Sequence, residues 1–227
     1  MTTQDYLKTI SKSEKPFAIY KSNKGFDLYT NFSKKIILTN KNIHNFINKI
    51  SKHKPRRKKT DLFIGFFGYE ILNNLIGVKI KKQKGLKFYK GIFYKPEIKI
   101  ELSNKLNYKP TKFYKTNKIF SINLNKNSYT NIFNKFKKKI KSGETYQIKI
   151  CTKYKNKSQI DALDFFCRLT KSNMAPEAFM IKDKDYSIIS CSPENLITKK
   201  NNFISTKPIA GTLKKSNKLN KSKALNF

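Results

Sequence analysis

The sequence contains no tryptophan, two histidines, three cysteines and, among its 50 basic residues, only three arginines, Arg56, Arg57 and Arg168. Each scarcity narrows the function. His44 and His53 lie far from Cys151, Cys167 and Cys191, and no C-x-x-C occurs, so the spacing of a zinc site is missing. The cysteines show no paired spacing either and read as buried, reduced thiols of a cytosolic, cytoplasmic protein. Nothing approaches ~18 uninterrupted apolar residues, so no membrane span is expected. The opening MTTQDYLKTISKSEK lacks an apolar h-region, and no signal peptide is expected.

Acidic residues are also few, 14 against 50 basic ones, and the formal net charge is +36. Removing the three arginines leaves 47 lysines, accompanied by abundant Asn and Ile. That is the signature of an AT-biased genome placing lysine wherever a solvated polar residue is tolerated. An interface for nucleic acid favours arginine, whose planar fork pairs bidentately with phosphate and guanine. The charge attracts polyanions at low salt, but no specific nucleic-acid partner is expected. A basic nucleic-acid-binding protein is the competing class, and KPRRKKT (54–60) reads as a solvated basic loop.

What is present is a globular pattern. Hydrophobic residues make up 38% and aromatics 13%, spread along a chain of 227 residues that is long enough to bury a core. PFAIYKS and DLYTNF read as two strands around a Lys24-Gly25 turn, with KKIILTN as a third. IHNFINKISKHK has helical spacing through Ile43, Phe46, Ile47 and Ile50. In DLFIGFFGYEILNNLIGV (61–78) an apolar run precedes a helical pattern, and Gly65 and Gly68 permit close backbone approach.

Residues 86–124 alternate aromatics with lysines, as strands with one wet face do, and 103–117 reads as an exposed loop between halves. Ser128 is the expected N-cap of a helix through Ile132, Phe133, Phe136 and Ile140, and Gly143 its stop. YQIKICTKY alternates like a strand, and IDALDFFCRLTKS carries a helical stripe. Four short extended runs follow: AFMIKD, YSIISCS, NLITKK and FISTKPIAGT. The expectation is an α+β architecture, divided into a β-rich part over 1–125 and a second domain beginning at 126–227.

Two stretches resemble the chorismate-binding enzymes. GETYQIKICTKY (143–154) resembles their Gly-acidic-x-Tyr/Phe-Gln-Val-x-Leu strand. Residues 173–215 resemble their N-x-x-P, then a hairpin ending in S-x-S-P-E, then a strand reaching T-x-P-I-A/K-G-T. GFFGYE (65–70) is similar to their G-x-x-G-Y-Glu/Asp element, and PFAIYKS suits their N-terminal sheet. The resemblance implies part of an α/β/β/α fold with orthogonally packed, mostly antiparallel sheets. It covers about half of a family enzyme. The family's magnesium-binding glutamates, a histidine and an arginine lie downstream of the P-I-A-G-T strand, and this sequence ends fifteen residues after Thr212. No metal ligand is therefore expected within these residues, and Mg2+ would be held beyond them. The expectation that follows is a fragment without turnover, with exposed apolar faces and open sheet edges. A non-catalytic remnant is the third alternative.

The resemblance also implies roles. Chorismate carries two carboxylates, an enolpyruvyl ether and a ring hydroxyl that must leave as nitrogen attacks, and a hydroxyl leaves only with an acid beside it. Glu194 of S-P-E matches the family glutamate credited with that step. Gly211 and Thr212 match its chorismate-binding pair, able to offer a backbone N–H and a hydroxyl to a carboxylate. Ala210 replaces the lysine that serves some aminodeoxychorismate synthases as a covalent nucleophile, which implies direct use of ammonia. Gln147 stands where isochorismate and salicylate synthases have a lysine to activate water. A neutral amide cannot be that base. Ser22 and Pro176 fall where relatives bind tryptophan, but Glu177 beside Pro176 is foreign to that site, and a core-edge role is favoured. APEAF, the Tyr-Gln pair and GTL lean toward component I of an aminodeoxychorismate synthase of p-aminobenzoate and folate synthesis, with anthranilate synthase component I of tryptophan biosynthesis as the alternative. The implied partners are chorismate and a glutamine amidotransferase subunit supplying ammonia.

Overall fold

A computed structural model describes residues 2–53, 58–71, 75–77, 88–109 and 117–209. The chain divides into two compact units, one formed by 1–108 and 166–227 and the other by 109–165.

The larger unit is built on a six-stranded antiparallel sheet. In chain order its elements are helix α1 (Thr3–Lys12), β1 (Phe17–Ser22), β2 (Gly25–Ile37), helix α2 (Ile43–Ser51), β3 (Ile64–Phe67), a 3-10 turn (Tyr69–Ile71) and β4 (Gly91–Leu102). The end of a helix spanning Ala162–Ser172 follows, then β7 (Glu177–Lys182) and β8 (Ser187–Ser192). The spatial order is β3-β4-β2-β1-β7-β8. A separate hairpin pairs β9 (Thr198–Lys200) with β10 (Phe203–Ser205) through Asn201, which takes a positive φ of 54°. Asparagine is among the few residues that accept that conformation in a two-residue turn.

Alternation along β4 places neighbouring residues on opposite faces, and both faces are covered near its start. Ile92 and Tyr94 pack with Ala18, Tyr29, Ile64 and Ile181, while Phe93 packs with Leu38, Ile43, Phe46 and Ile71. Each fully buried side chain of this size contributes roughly 1.5–3 kcal/mol. The sheet can close against β3 because Gly65 has no side chain. A Cβ there would sit 2.0 Å from the Ile92 carbonyl oxygen and 2.8 Å from the Phe93 Cα, which is the close approach expected of this glycine.

Several expectations are corrected. DLYTNF and KKIILTN are one strand, not two. β2 runs unbroken for 13 residues, and a bulge at Ser33 absorbs the irregularity where Phe32 faces Pro96 and Lys34 faces Lys95. Proline has no N–H for the ladder, so a bulge beside it loses little pairing. The hairpin between β1 and β2 turns on Asn23 and Lys24, because Ser22 already pairs with Gly25. The connection after β4 is not wholly exposed, since Leu106 and Tyr108 are buried.

The smaller unit holds β5 (Ser121–Ile122), helix α3 (Lys126–Lys141), β6 (Tyr154–Lys155) and the start of helix α4 (Ala162–Ser172). α3 begins a turn earlier than expected. Asn125, not Ser128, is its N-cap, and its side chain accepts from the Ser128 N–H at 2.8 Å. Gly143, at φ 76°, ends it as expected. YQIKICTKY is not a continuous strand; only Tyr154 and Lys155 pair, with Ile122 and Ser121. Alternation makes a segment suited to a sheet, but a strand exists only where a neighbour supplies hydrogen bonds. No residue of α3 is buried, and Tyr129, Phe133 and Ile140 stand exposed on it. The thiols also differ from expectation: Cys167 is buried and Cys191 half-buried, but Cys151 is exposed. No helix among the described residues is long and apolar enough to cross a membrane.

Candidate functional site

At the end of β8 the chain makes a sharp corner, Ser192-Pro193-Glu194-Asn195, and this corner carries the acid singled out by sequence. Ser192 Oγ closes it, donating to the Glu194 carbonyl at 3.0 Å and accepting from the Glu194 N–H at 3.4 Å. Proline at the second position presets such a bend. The Glu194 side chain is exposed and lines a groove of about 450 Å³ together with Tyr20, Lys21, Glu177, Phe179 and Ser190. The floor is the sheet itself, where Tyr20 of β1 stacks on Phe179 of β7 with ring centroids 5.4 Å apart. An aromatic floor and an accessible carboxyl group suit a flat, oxygen-rich molecule, while the Lys21 ammonium points instead to Asn104 Oδ1 at 3.4 Å and the Phe26 ring.

The chain returns to this corner after β10. Thr206 Oγ1 donates to the Leu196 carbonyl at 2.8 Å, and the Ile209 N–H donates to Glu194 Oε1 at 3.1 Å. The S-P-E corner is thus bonded to the P-I of the P-I-A-G-T run. Ala210, Gly211 and Thr212 themselves lie outside the described residues.

The other sequence-selected residues stand apart from this groove. Ser22 ends β1 and Pro176 precedes β7, two antiparallel neighbours, so both lie at one end of the sheet. Their chain neighbours Lys21 and Ala175 line a second cavity of about 470 Å³, walled by Phe26, Leu106 and Met174. Gln147 belongs to the smaller unit, where it is exposed and outside any strand; its carbonyl accepts from Thr145 Oγ1 at 3.2 Å. Among the described residues no three His, Cys, Asp or Glu side chains gather as a metal site would require.

Sequence reasoning missed Lys21, Asn195 and Glu177 as groove residues. Lys21 is one lysine of 47 and carries no local mark. Glu177 was noticed only as an oddity beside Pro176, although its carboxylate accepts from Asn195 Nδ2 at 3.1 Å.

Away from the groove, a buried polar cluster fastens the β7–β8 turn to the sheet. The Tyr94 hydroxyl donates to the Asp183 carboxylate and lies 2.6 Å from the Tyr186 hydroxyl, and Lys35 Nζ reaches Asp183 at 2.6 Å. Burial alone would raise the Asp183 carboxyl, but donors from Lys35, Tyr94 and the Lys184 backbone outweigh it and hold it below the usual carboxylate range. Burial, and then the bond to Asp183, push the Tyr94 hydroxyl well above its ordinary value.

Comparison with known proteins gives the family of the chain. The family model described as chorismate binding enzyme matches residues 6–226. Aminodeoxychorismate synthase component 1 of Salmonella typhimurium is 32% identical over 95 residues, 42% of this chain and 21% of that protein. Anthranilate synthase component 1 of Buchnera aphidicola subsp. Rhopalosiphum maidis is 28% identical over 203 residues, 74% of this chain and 39% of that protein. The corresponding protein of Saccharolobus solfataricus is 35% identical over 89 residues, 39% of this chain and 21% of its own length. The chain thus spans less than half the length of these relatives. With the family model matched across almost its whole length, the chain belongs to the chorismate binding enzyme family.

Proposed function

We propose that the chain is part of component I of an aminodeoxychorismate synthase, which replaces the ring hydroxyl of chorismate by an amino group drawn from ammonia. The observation that carries the reading is the bond from the Ile209 N–H to Glu194 Oε1. It joins the two motifs whose residues would have to serve one substrate.

In this reading Glu194 is the general acid that protonates the departing hydroxyl. The Tyr20–Phe179 floor receives the ring. Gly211 and Thr212 hold a carboxylate through a backbone N–H and a hydroxyl. Ala210 has no nucleophilic atom, so nitrogen arrives as free ammonia and no covalent adduct with this position forms. Gln147 is a neutral amide, and the reading excludes it as a base for adding water. The two-sheet α/β/β/α arrangement of orthogonally packed sheets and a boundary near residue 125 belong to the same proposal. So does a role for Ser22 and Pro176 at the edge of the core rather than in holding tryptophan. Magnesium, when bound, would offset the charge on the carboxylates of chorismate, but the described residues offer no cluster to hold it. The ammonia source would be a glutamine amidotransferase subunit, consistent with the component 1 names of the relatives.

Anthranilate synthase component I is the second reading, favoured by the longer stretch, 74% of this chain, that aligns with the Buchnera protein. Incubation of the whole protein, of which this chain is part, with chorismate, magnesium and ammonium salts separates the two. An aminated product retaining its enolpyruvyl group supports the first; anthranilate with equimolar pyruvate supports the second. Saturable binding of chorismate by calorimetry is expected in either case, and its absence together with unchanged chorismate overturns both.

A further inference from the structure

The corner that carries Glu194 is held by a side chain to which the proposed chemistry gives no part. Glu177 at the start of β7 is the ladder partner of Ser192 at the end of β8, and paired residues of antiparallel strands present their side chains to one face. Asn195 turns back from beyond the corner to meet it. Its Nδ2 donates to Glu177 Oε1 at 3.1 Å, and its Oδ1 accepts from Thr198 Oγ1 at 3.1 Å. One carboxamide therefore ties the first residue of β7 to the first residue of β9, with Glu194 on the bend next to it. The amide puts a donor and an acceptor on one rigid plane. A carboxylate at this position would face Glu177 with like charge, and an alkyl group would leave the half-buried Glu177 without this donor.

Glu194 depends on that grip. It is exposed, and among the described residues the donor to its carboxylate is the Ile209 N–H alone. A glutamate has several rotatable bonds and enters no fixed direction by itself. Its aim comes from the backbone that bears it and from the Ile209 N–H that meets its tip. The backbone on one side is fixed by Ser192 and on the other by Asn195.

We infer that Asn195 is a positioning residue, whose hold on Glu177 and Thr198 sets the direction in which the Glu194 carboxylate enters the groove. The inference rests on the proposed reading only in taking Glu194 as the carboxyl that matters. Its test reads the position of that carboxyl without any turnover, so it fails or stands separately from the reaction.

The experiment follows the Ile209 amide by hydrogen exchange in the full chain, with thermal melting as a control on folding. N195A is expected to speed exchange at Ile209 about fivefold to tenfold, the loss of roughly one net hydrogen bond, while central amides of β1 and β2 keep their protection. N195D is expected to do the same or more, because it sets two carboxylates together. Combining E177Q with N195D restores a donor opposite an acceptor, with the polarity reversed, and should return Ile209 exchange to within about twofold of the parent. A general structural role would not predict that rescue. Unchanged Ile209 exchange in both single variants overturns the inference, as does an equal loss of protection throughout the sheet, or a double variant no better than N195D.

Discussion

The Ile209 N–H donates to Glu194 Oε1 across 3.1 Å, linking residues fifteen positions apart that belong to two separate motifs of the family. The bond puts the acid of the S-P-E corner against the segment after β10 that precedes Ala210, Gly211 and Thr212 in the sequence. From it follows a test of the acid's role. E194Q keeps an acceptor for the Ile209 amide but has no proton to give. Because the side chain is exposed, stability should stay within about 0.5 kcal/mol of the parent, and chorismate binding should persist. In the whole protein of which this chain is part, amination of chorismate should fall at least ~100-fold, within the range of general acid catalysis. Equal rates in the variant and the parent would remove Glu194 from the chemistry.

Asp183 gives a prediction on stability and its pH dependence. Its carboxyl is held below the ordinary range in the folded chain, so the unfolded chain takes up its proton first on acidification. The contribution is therefore complete above the unfolded carboxylate value near 3.8 and is lost as pH falls through the lower folded value. D183N should remove this acid-side dependence and cost about 1–3 kcal/mol, since a buried charged acceptor for Tyr94 disappears. Urea denaturation between pH 2 and 7, run on both proteins, measures both effects. Parallel curves across the acid range would contradict the account.

Gly65 tests the packing of β3 on β4. G65A places a methyl group 2.0 Å from a backbone carbonyl oxygen, which no side-chain rotation relieves. The cost should reach or exceed the ~1–3 kcal/mol typical of overpacking, read as a lower melting temperature. A variant that melts with the parent would show that β3 is free to shift.

The thiols offer a chemical readout of the same fold. Cys151 is exposed, Cys191 half-buried with a thiol pushed up by burial, and Cys167 buried. An aromatic disulfide reagent at pH 8 should label Cys151 first and Cys191 more slowly, because the thiolate is the reactive form. Cys167 should react only with denaturant. Rapid labelling of all three in buffer would be inconsistent with this burial.

Much of the sheet was legible because its period shows in single stretches. PFAIYKS became β1, and the segments AFMIKD and YSIISCS became a hairpin with Asp183 accepting at the turn; the Asp183 N–H bonds to the Tyr186 carbonyl at 2.9 Å. The stripe Leu163, Phe166, Cys167 likewise became the buried side of a helix. Errors fell where the answer depended on something distant. The fusion of β2 needs Pro96 on another strand, and Asn125 rather than Ser128 caps α3 because a cap is set by where the first turn begins. YQIKICTKY has the right alternation but only two residues with a pairing partner.

By itself, then, the sequence determined the residue types available for chemistry, the α+β character and the family, since these reside in local order and in motifs read along the chain. Tertiary structure alone decided that Glu194 meets Ile209, that Tyr20 and Phe179 floor the same groove, and that Glu177 answers Asn195. The physical reason is register. Side chains that share a face are selected by which strand lies beside which, and that pairing is fixed by the collective burial of the sheet rather than by any one segment.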